Sequence, residues 1–177
     1  MFEIKPWDAG TYRQQTRRST FILAVTFLAL AMLLSSLAVM LFGTPGGDNL
    51  RFNLGGVIVA VLAMVALLRG YFWSQPWMAA AVYGWQLKRS LMSVTNVMHK
   101  VKAGVQAEDP AAMKLLRFYH LGLAQMHQLD ANSSDQGSLA READDHLAKM
   151  QALGLEGEQP RLDPAWIEAV KRVPGGR

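Results

Sequence analysis

The longest uninterrupted apolar segment lies near the start of the chain, at residues 19–42, where no side chain is charged and the only polar groups are hydroxyls. As an α-helix this segment would extend roughly 36 Å, enough to cross a hydrocarbon core of about 30 Å. A core helix of a soluble protein would carry polar residues along one face, and this segment has no such face. The pattern predicts a first transmembrane helix at residues 19–42.

A second apolar segment, at residues 54–68, is shorter. It becomes long enough to cross a bilayer if the Arg69 side chain extends to the surface and the aromatic rings of residues 71–73 lie at the interface. A charge within a span is a candidate functional site, but its position beside aromatic rings near the end of the span favours an anchor. We predict a second transmembrane helix at residues 54–75. The intervening residues 43–53 contain one proline and three glycines, which predicts a loop.

Positive charges stand on the same side of both predicted spans. Residues 1–18 carry four of them, and three lie within six residues of the first span. Four more follow the second span, between residues 88 and 102. Because positive residues favour the cytoplasmic side, we predict a hairpin with both ends in the cytoplasm and a basic cytoplasmic segment at residues 1–18. Arg17 and Arg18 also resemble a twin-arginine export signal, but the apolar segment is too long for a signal and a second one follows.

From residue 76 onward, apolar positions recur in alternating steps of four and three, the spacing of helices that pack through a stripe. Three consecutive segments show the pattern: Leu87, Leu91, Val94, Met98, Val101 and Val105; Ala112, Leu116, Tyr119, Leu123 and Met126; and Leu139, Ala143, Met150 and Leu153. Matching stripes in three successive helices predict a cytoplasmic antiparallel helical bundle at residues 76–157.

The capping residues give the expected ends of these helices. Ser74 with the nearby proline predicts the start of a single helix of about thirty residues. Asp109 and Pro110 begin the second helix, which stops before a polar loop at residues 132–137. Ser138 is expected to cap the third helix, and the glycines after residue 153 are expected to end it.

The C-terminal tail, residues 158–177, carries one more short helix. Asp163 followed by proline is a typical helix start, after which Trp166, Ile167 and Val170 share one face. We expect this face to pack on the bundle, with the inner surface of the membrane as the alternative. Residues 174–176 are expected to be disordered. The predicted fold class is all-α: a two-helix transmembrane hairpin followed by the cytoplasmic antiparallel helical bundle.

Composition removes several classes of function. The chain has no cysteine, which excludes disulfides, thiolate metal sites and cysteine nucleophiles. Neither a nucleophile elbow nor a glycine-rich phosphate loop is present. After Pro76 the chain carries 12 basic and 11 acidic side chains, a balance that argues against a nucleic-acid partner. We therefore expect a protein that is not an enzyme and needs no cofactor.

Four side chains form a candidate metal or ligand site. His120 and His127 are seven residues apart on one predicted helix and share a face, while Glu142 and His146 are four apart on the next. The spacing of a di-iron bundle, with a glutamate three residues before a histidine on two helices, is absent. Histidines at the edges of the core stripes explain the same positions without a metal.

A second candidate is a group of rings and cations where the chain leaves the predicted membrane. Its members are Arg69, Trp73, Trp77, Trp85, Lys88 and Arg89. Aromatic rings and positive charges at the inner interface suit anionic lipid headgroups. The alternative is a simple anchor at the bilayer surface.

Several short motifs carry a family resemblance. They are Tyr12-Arg13, the sequence at residues 53–57, Pro76-Trp77-Met78, the sequence at residues 82–88, Ala111-Ala112-Met113 and Gln128-Leu129-Asp130. These resemble a family of gammaproteobacterial inner-membrane proteins known only as a domain of unknown function, over most of residues 11–150. The resemblance implies a bacterial inner-membrane location and two spans with a cytoplasmic helical region, which would place the predicted loop at residues 43–53 in the periplasm. It implies no activity, and the last 25 residues do not follow it.

The expected function is that of a non-enzymatic inner-membrane adaptor or accessory subunit that presents its bundle to a partner. Its partners would be the lipid bilayer and either a second copy of the chain or another membrane protein. Small residues at Ala31 and Ser35, and at Gly56 and Ala60, form short seams that favour self-association. The alternatives are a metal or ligand-binding protein acting through the bundle histidines and a regulator that senses anionic lipid.

Overall fold

The computed structural model describes residues 1–131 and 136–172 and confirms an all-α fold. Seven α-helices lie in the described part of the chain: α1 Ala9–Phe42, α2 Leu50–Gly70, α3 Ala79–Thr95, α4 Met98–Gln106, α5 Pro110–Asp130, α6 Gln136–Ala152 and α7 Pro164–Lys171. Two single turns of 3₁₀-helix, Phe72–Ser74 and Pro76–Met78, precede α3. Two very short strands, β1 Phe2–Glu3 and β2 Arg161–Leu162, form an antiparallel pair. The chain divides into two compact units, the apolar unit (residues 14–82) and the bundle unit (residues 1–13 and 83–177).

Helix α1 begins at Ala9, ten residues before the predicted start of the first span. The Asp8 carboxylate accepts a hydrogen bond from the Thr11 N–H at 2.7 Å, which satisfies a donor in the first turn. The polar residues before the apolar segment are therefore helical as well.

The loop that connects α1 to α2 is shorter than predicted, because helix α2 begins at Leu50. Asn49 folds this loop by exchanging two side-chain hydrogen bonds with the backbone of Thr44.

Helices α1 and α2 pack closely in the apolar unit where small residues meet. A Cβ atom on Gly56 would lie 2.4 Å from the Cα atom of Ser35, so only glycine permits this approach. The Ser35 hydroxyl donates to the Asn53 side chain at 2.8 Å, and Ala60 is fully buried. Part of the small-residue seam predicted for self-association is thus covered within the chain. Both helices are long and apolar enough to cross a membrane.

In the bundle unit, the prediction of one helix of about thirty residues is wrong. Helix α3 ends at Thr95, and α4 begins at Met98 after two turn residues. The Thr95 hydroxyl bonds back to the Leu91 carbonyl at 3.0 Å, a local bond that bends helices and competes with their continuation. The apolar spacing continues through the break, so Val94 and Val101 are both fully buried.

Helix α5 is the central element of the bundle unit, because α4, α6 and α7 all pack on it. Its predicted start is confirmed: the Asp109 side chain accepts from the Ala112 N–H at 2.8 Å, and proline occupies the first helical position. Its core side chain Phe118 is fully buried. Burial of one such side chain stabilises the fold by roughly 1.5–3 kcal/mol.

Helix α7 packs on the bundle, as predicted. The Asp163 side chain caps it by accepting from the Ala165 N–H at 2.8 Å. Val170 is fully buried, and Trp166 and Ile167 pack against the same core. The face that these three residues share is thus occupied by protein contacts.

The N-terminal residues, predicted as a basic segment beside the membrane, belong to the bundle unit. Phe2 pairs with Leu162 in the strand ladder, and its ring meets Phe118 edge to face, with centroids 6.4 Å apart. Glu3 and Arg161 form an ion pair at 2.9 Å. Apolar side chains at the N-terminus therefore cover part of the core.

Helix α6 begins at Gln136, so Ser138 lies inside the helix and does not cap it as predicted. Residues 132–135 of the predicted polar loop and residues 174–176 of the tail lie outside the described residues. The end of α6 is confirmed: Gly154 has a φ of +67°, and the Leu155 N–H bonds to the Met150 carbonyl at 2.9 Å. A glycine in the left-handed conformation lets the N–H groups that follow the helix bond to its last carbonyls, which have no partner within the helix.

Candidate functional site

Helices α5 and α6 bring two buried histidines together. His120 and His146 are 2% and 4% exposed, and their rings meet edge to face with centroids 5.4 Å apart. The Glu142 carboxylate, on the outer side of α6, lies 3.8 Å from His120 Nε2. His127 stands two helical turns further along α5. Three of the four candidate ligands are therefore neighbours.

Burial keeps both histidines uncharged at neutral pH. Desolvation, helped by the neighbouring His146, lowers the pKa of His120 to about 4, against a smaller opposing effect of Glu142. The pKa of His146 is also lowered, again mainly by burial. His146 Nε2 lies 2.9 Å from the Met113 carbonyl and donates to it in the neutral ring. In the described part of the chain, His120 Nδ1 has no hydrogen-bond partner.

The two histidines line an open cavity of about 310 Å³. The other lining residues are Lys102, Val105, Gln106, Leu116, Glu142, Asp145 and Lys149. This volume is at the lower end of the range for small-molecule sites. Among the described residues, no three histidine, aspartate or glutamate side chains are placed to hold one metal ion. The metal-binding alternative stays a prediction.

A buried arginine that the sequence analysis did not single out lies beside the histidines. Arg117 is 7% exposed; its Nε donates to the Gly157 carbonyl at 2.9 Å and its Nη1 to the Ala143 carbonyl at 3.2 Å. These bonds tie α5 to α6 and to the segment after it. The only signal in the sequence was a charge within an apolar stretch of α5. Its positive charge further lowers the pKa of both histidines.

The six lipid-interface candidates lie in two units. In the apolar unit, Arg69 is exposed in the last turn of α2, while Trp73 and Trp77 are half-buried in the 3₁₀ turns. The Trp77 carbonyl accepts a hydrogen bond from the buried Ser19 hydroxyl at 2.7 Å, and its ring meets Phe72 with centroids 5.3 Å apart. Packing within the unit thus accounts for part of this aromatic group.

In the bundle unit, α3 carries the other three candidates. The Arg89 guanidinium stacks on the Trp85 ring at 5.0 Å, and Trp85 is 47% exposed. Lys88 instead pairs with Asp130 of α5 at 3.1 Å, with both side chains exposed. The structure therefore brings together Trp85 and Arg89, whereas Lys88 is engaged elsewhere.

The motif at residues 82–88 also holds a packing cluster. The Tyr83 hydroxyl accepts from the Lys5 N–H at 3.1 Å and donates to the Gln125 side chain. Gly84 lies against Tyr12, so closely that a Cβ atom would meet the Tyr12 hydroxyl oxygen at 2.0 Å. These contacts hold the N-terminal residues on α3 and α5 and explain two motif positions without chemistry.

Comparison with known proteins gives a family but no activity. A family model described as "Protein of unknown function (DUF3087)" matches residues 2–167. The match includes the N-terminal strand and the first half of α7, which lie beyond the stretch that the sequence motifs cover. The expectation that the last 25 residues do not follow the family is therefore wrong up to residue 167. No curated protein and no solved structure matches the chain. The chain therefore belongs to the DUF3087 family of proteins of unknown function.

Proposed function

We propose that the protein is a non-enzymatic integral protein of the bacterial inner membrane that presents its bundle unit to a partner protein. In this proposal α1 and α2 cross the bilayer as a hairpin, the loop at residues 43–49 faces the periplasm, and both termini lie in the cytoplasm. The observation that carries it is the exposure of the apolar helices. In the most apolar 18-residue window of α1 no residue is buried, and in that of α2 only 11% of the residues are buried.

This exposure distinguishes a membrane span from a core helix. A core helix of a soluble protein buries its apolar residues, whereas Phe21, Met32 and Met40 are each at least 70% exposed. A continuous apolar surface of this size is unfavourable in water and favourable in lipid. The basic residues on one side of both helices support the proposed orientation.

Single cysteines test the hairpin, because the chain has none of its own. Pro45→Cys places a thiol in the connecting loop, and Gln151→Cys places one on an exposed site of α6. With a membrane-impermeant maleimide on spheroplasts, we expect labelling at residue 45 and none at residue 151 until the membrane is broken. Release of the protein by alkaline carbonate, or labelling of both sites in intact spheroplasts, would refute the proposal.

An exposed patch on α3 supports the adaptor role. The α3 patch consists of Trp85, Arg89 and Met92, spaced by four and three residues on one face. Met92 is 63% exposed, and Arg89 stacks on the Trp85 ring. Tryptophan and arginine are enriched among the side chains that dominate the binding energy of protein interfaces. We therefore place the partner contact on this patch.

Photocrosslinking tests the contact. A photoreactive amino acid at Met92 should crosslink the full-length protein to one protein species in cells, while the same group at Gln151 should not. A product of twice the chain mass identifies the partner as a second copy. Crosslinks to lipid alone would refute the adaptor and favour the lipid-sensing alternative.

A further inference from the structure

Beyond the partner patch, the apolar unit contains an open groove of about 340 Å³ between α1 and α2, next to the connecting loop. Each helix lines it with one face. Helix α1 contributes Leu34, Leu37, Ala38 and Leu41, and helix α2 contributes Phe52, Gly55, Gly56 and Val59. Gly55 lines the groove and has open space where a side chain would be.

One end of this apolar groove carries a positive charge. Arg51 is the charged residue among those that line it, and it lies in the first turn of α2, where the helix dipole adds positive potential. Its guanidinium stacks on the Phe52 ring at 4.7 Å. Within the described residues it forms no ion pair. The nearby Asp48 carboxylate is engaged with the Leu50 N–H at 3.0 Å.

We infer that the groove binds one acyl chain of an anionic phospholipid, with its phosphate held by Arg51. The inference rests on the proposed membrane hairpin, which brings the loop end of the groove to the depth of the headgroups. An apolar groove with a cation at one end matches an amphiphile that has an apolar chain and an anionic headgroup. No acidic residue lines the groove, so an ammonium headgroup finds no counterion there, and a headgroup with net negative charge is preferred.

Charge also favours a lipid over a second copy of the hairpin. A second helix in the groove would desolvate Arg51, and a guanidinium buried without a carboxylate is unfavourable. Neither apolar segment, residues 19–42 or 52–70, carries an acidic residue, and the Asp48 carboxylate of the connecting loop already accepts the Leu50 N–H. The closest helix approach, at Gly56, is already occupied by α1. A phospholipid provides both the apolar chain and the counterion.

Native mass spectrometry of the full-length protein in mild detergent tests this inference. Phosphatidylglycerol and phosphatidylcholine with identical acyl chains are titrated separately. We expect one phosphatidylglycerol to bind about tenfold more tightly than phosphatidylcholine, and Arg51→Gln to remove that difference. Arg141→Gln is the matched control, because it removes one positive charge from an exposed site of α6 and does not line the groove.

Gly55→Leu tests the apolar part of the site. The new side chain would fill open space and displace the acyl chain, so binding of both lipids should fall while circular dichroism confirms that the helices persist. Equal affinity for the two lipids, or a preference that Arg51→Gln leaves intact, would overturn the inference. So would a lipid-free dimer that Gly55→Leu dissociates, since the groove would then hold a second copy.

The outcomes separate this inference from the proposed function. If residue 45 remains labelled from outside while the lipid preference is absent, the groove is no lipid site and the membrane hairpin stands. If carbonate releases the protein from the membrane, the hairpin fails whatever the lipid titration shows.

Discussion

Acidification should destabilise the bundle unit through the buried histidine pair. The pKa of His120 is about 4 in the folded protein against 6.5 for an unperturbed histidine. Between these values the unfolded chain binds the additional proton, so the free energy of unfolding falls as the pH falls. The contribution of uncharged His120 to the free energy of unfolding is complete above pH 6.5, and most of it is lost by pH 4.

The expected loss follows from the size of the shift. One pKa unit corresponds to about 1.4 kcal/mol, so at pH 5, 1.5 units below the unfolded value, His120 alone costs about 2 kcal/mol of stability. His146 adds to this in the same direction, because its pKa is also lowered. For a unit of this size, a loss of 2 kcal/mol lowers the melting temperature by roughly 8 °C.

The assay is thermal unfolding of the full-length protein in detergent at pH 7 and pH 5, followed by tryptophan fluorescence. His120→Gln should reduce the pH dependence by about 2 kcal/mol, because glutamine does not titrate. His99→Gln is the matched control, since His99 is exposed and lies outside the cavity. If stability is the same at both pH values, or if the two variants respond alike, the reasoning is wrong.

Three further substitutions test the packing. Gly84→Ala should lower the free energy of unfolding by about 1–3 kcal/mol, because the new methyl group would clash with the Tyr12 hydroxyl. Tyr12→Phe should restore part of this loss in urea unfolding. If Gly84→Ala leaves the unfolding free energy unchanged, the contact is contradicted. Arg117→Met should destabilise by about 2–4 kcal/mol because two backbone carbonyls lose their charged donor, and an unchanged denaturation midpoint would show that these bonds contribute little. Gly56→Leu should lower the melting temperature of the protein in detergent by forcing α1 from α2, while the control Gly55→Ala should not; equal effects would place the close approach elsewhere.

The sequence by itself determined the helices with a strong local signal. The all-α class, the two apolar helices and the caps at Asp109 and Asp163 are confirmed, because periodicity, length and capping act over a few residues. The location of the apolar helices in a membrane and the adaptor role stay predictions. The packing of α7 was also predictable, since one face carries Trp166, Ile167 and Val170 and would otherwise be exposed.

Only the tertiary structure decided which distant residues meet. Two-residue strands have no periodicity to detect, so the pairing of Phe2 with Leu162 was not predictable from either segment. The break after Thr95 was hidden because the apolar spacing continues through it. The side chain of His120 was identified as a candidate, but its pairing with His146 and the burial of Arg117 depend on how α5 and α6 pack. The spacing of apolar residues along one helix shows which of its faces is apolar. Which helix covers that face depends on the packing of the whole core, and no local pattern in the sequence specifies it.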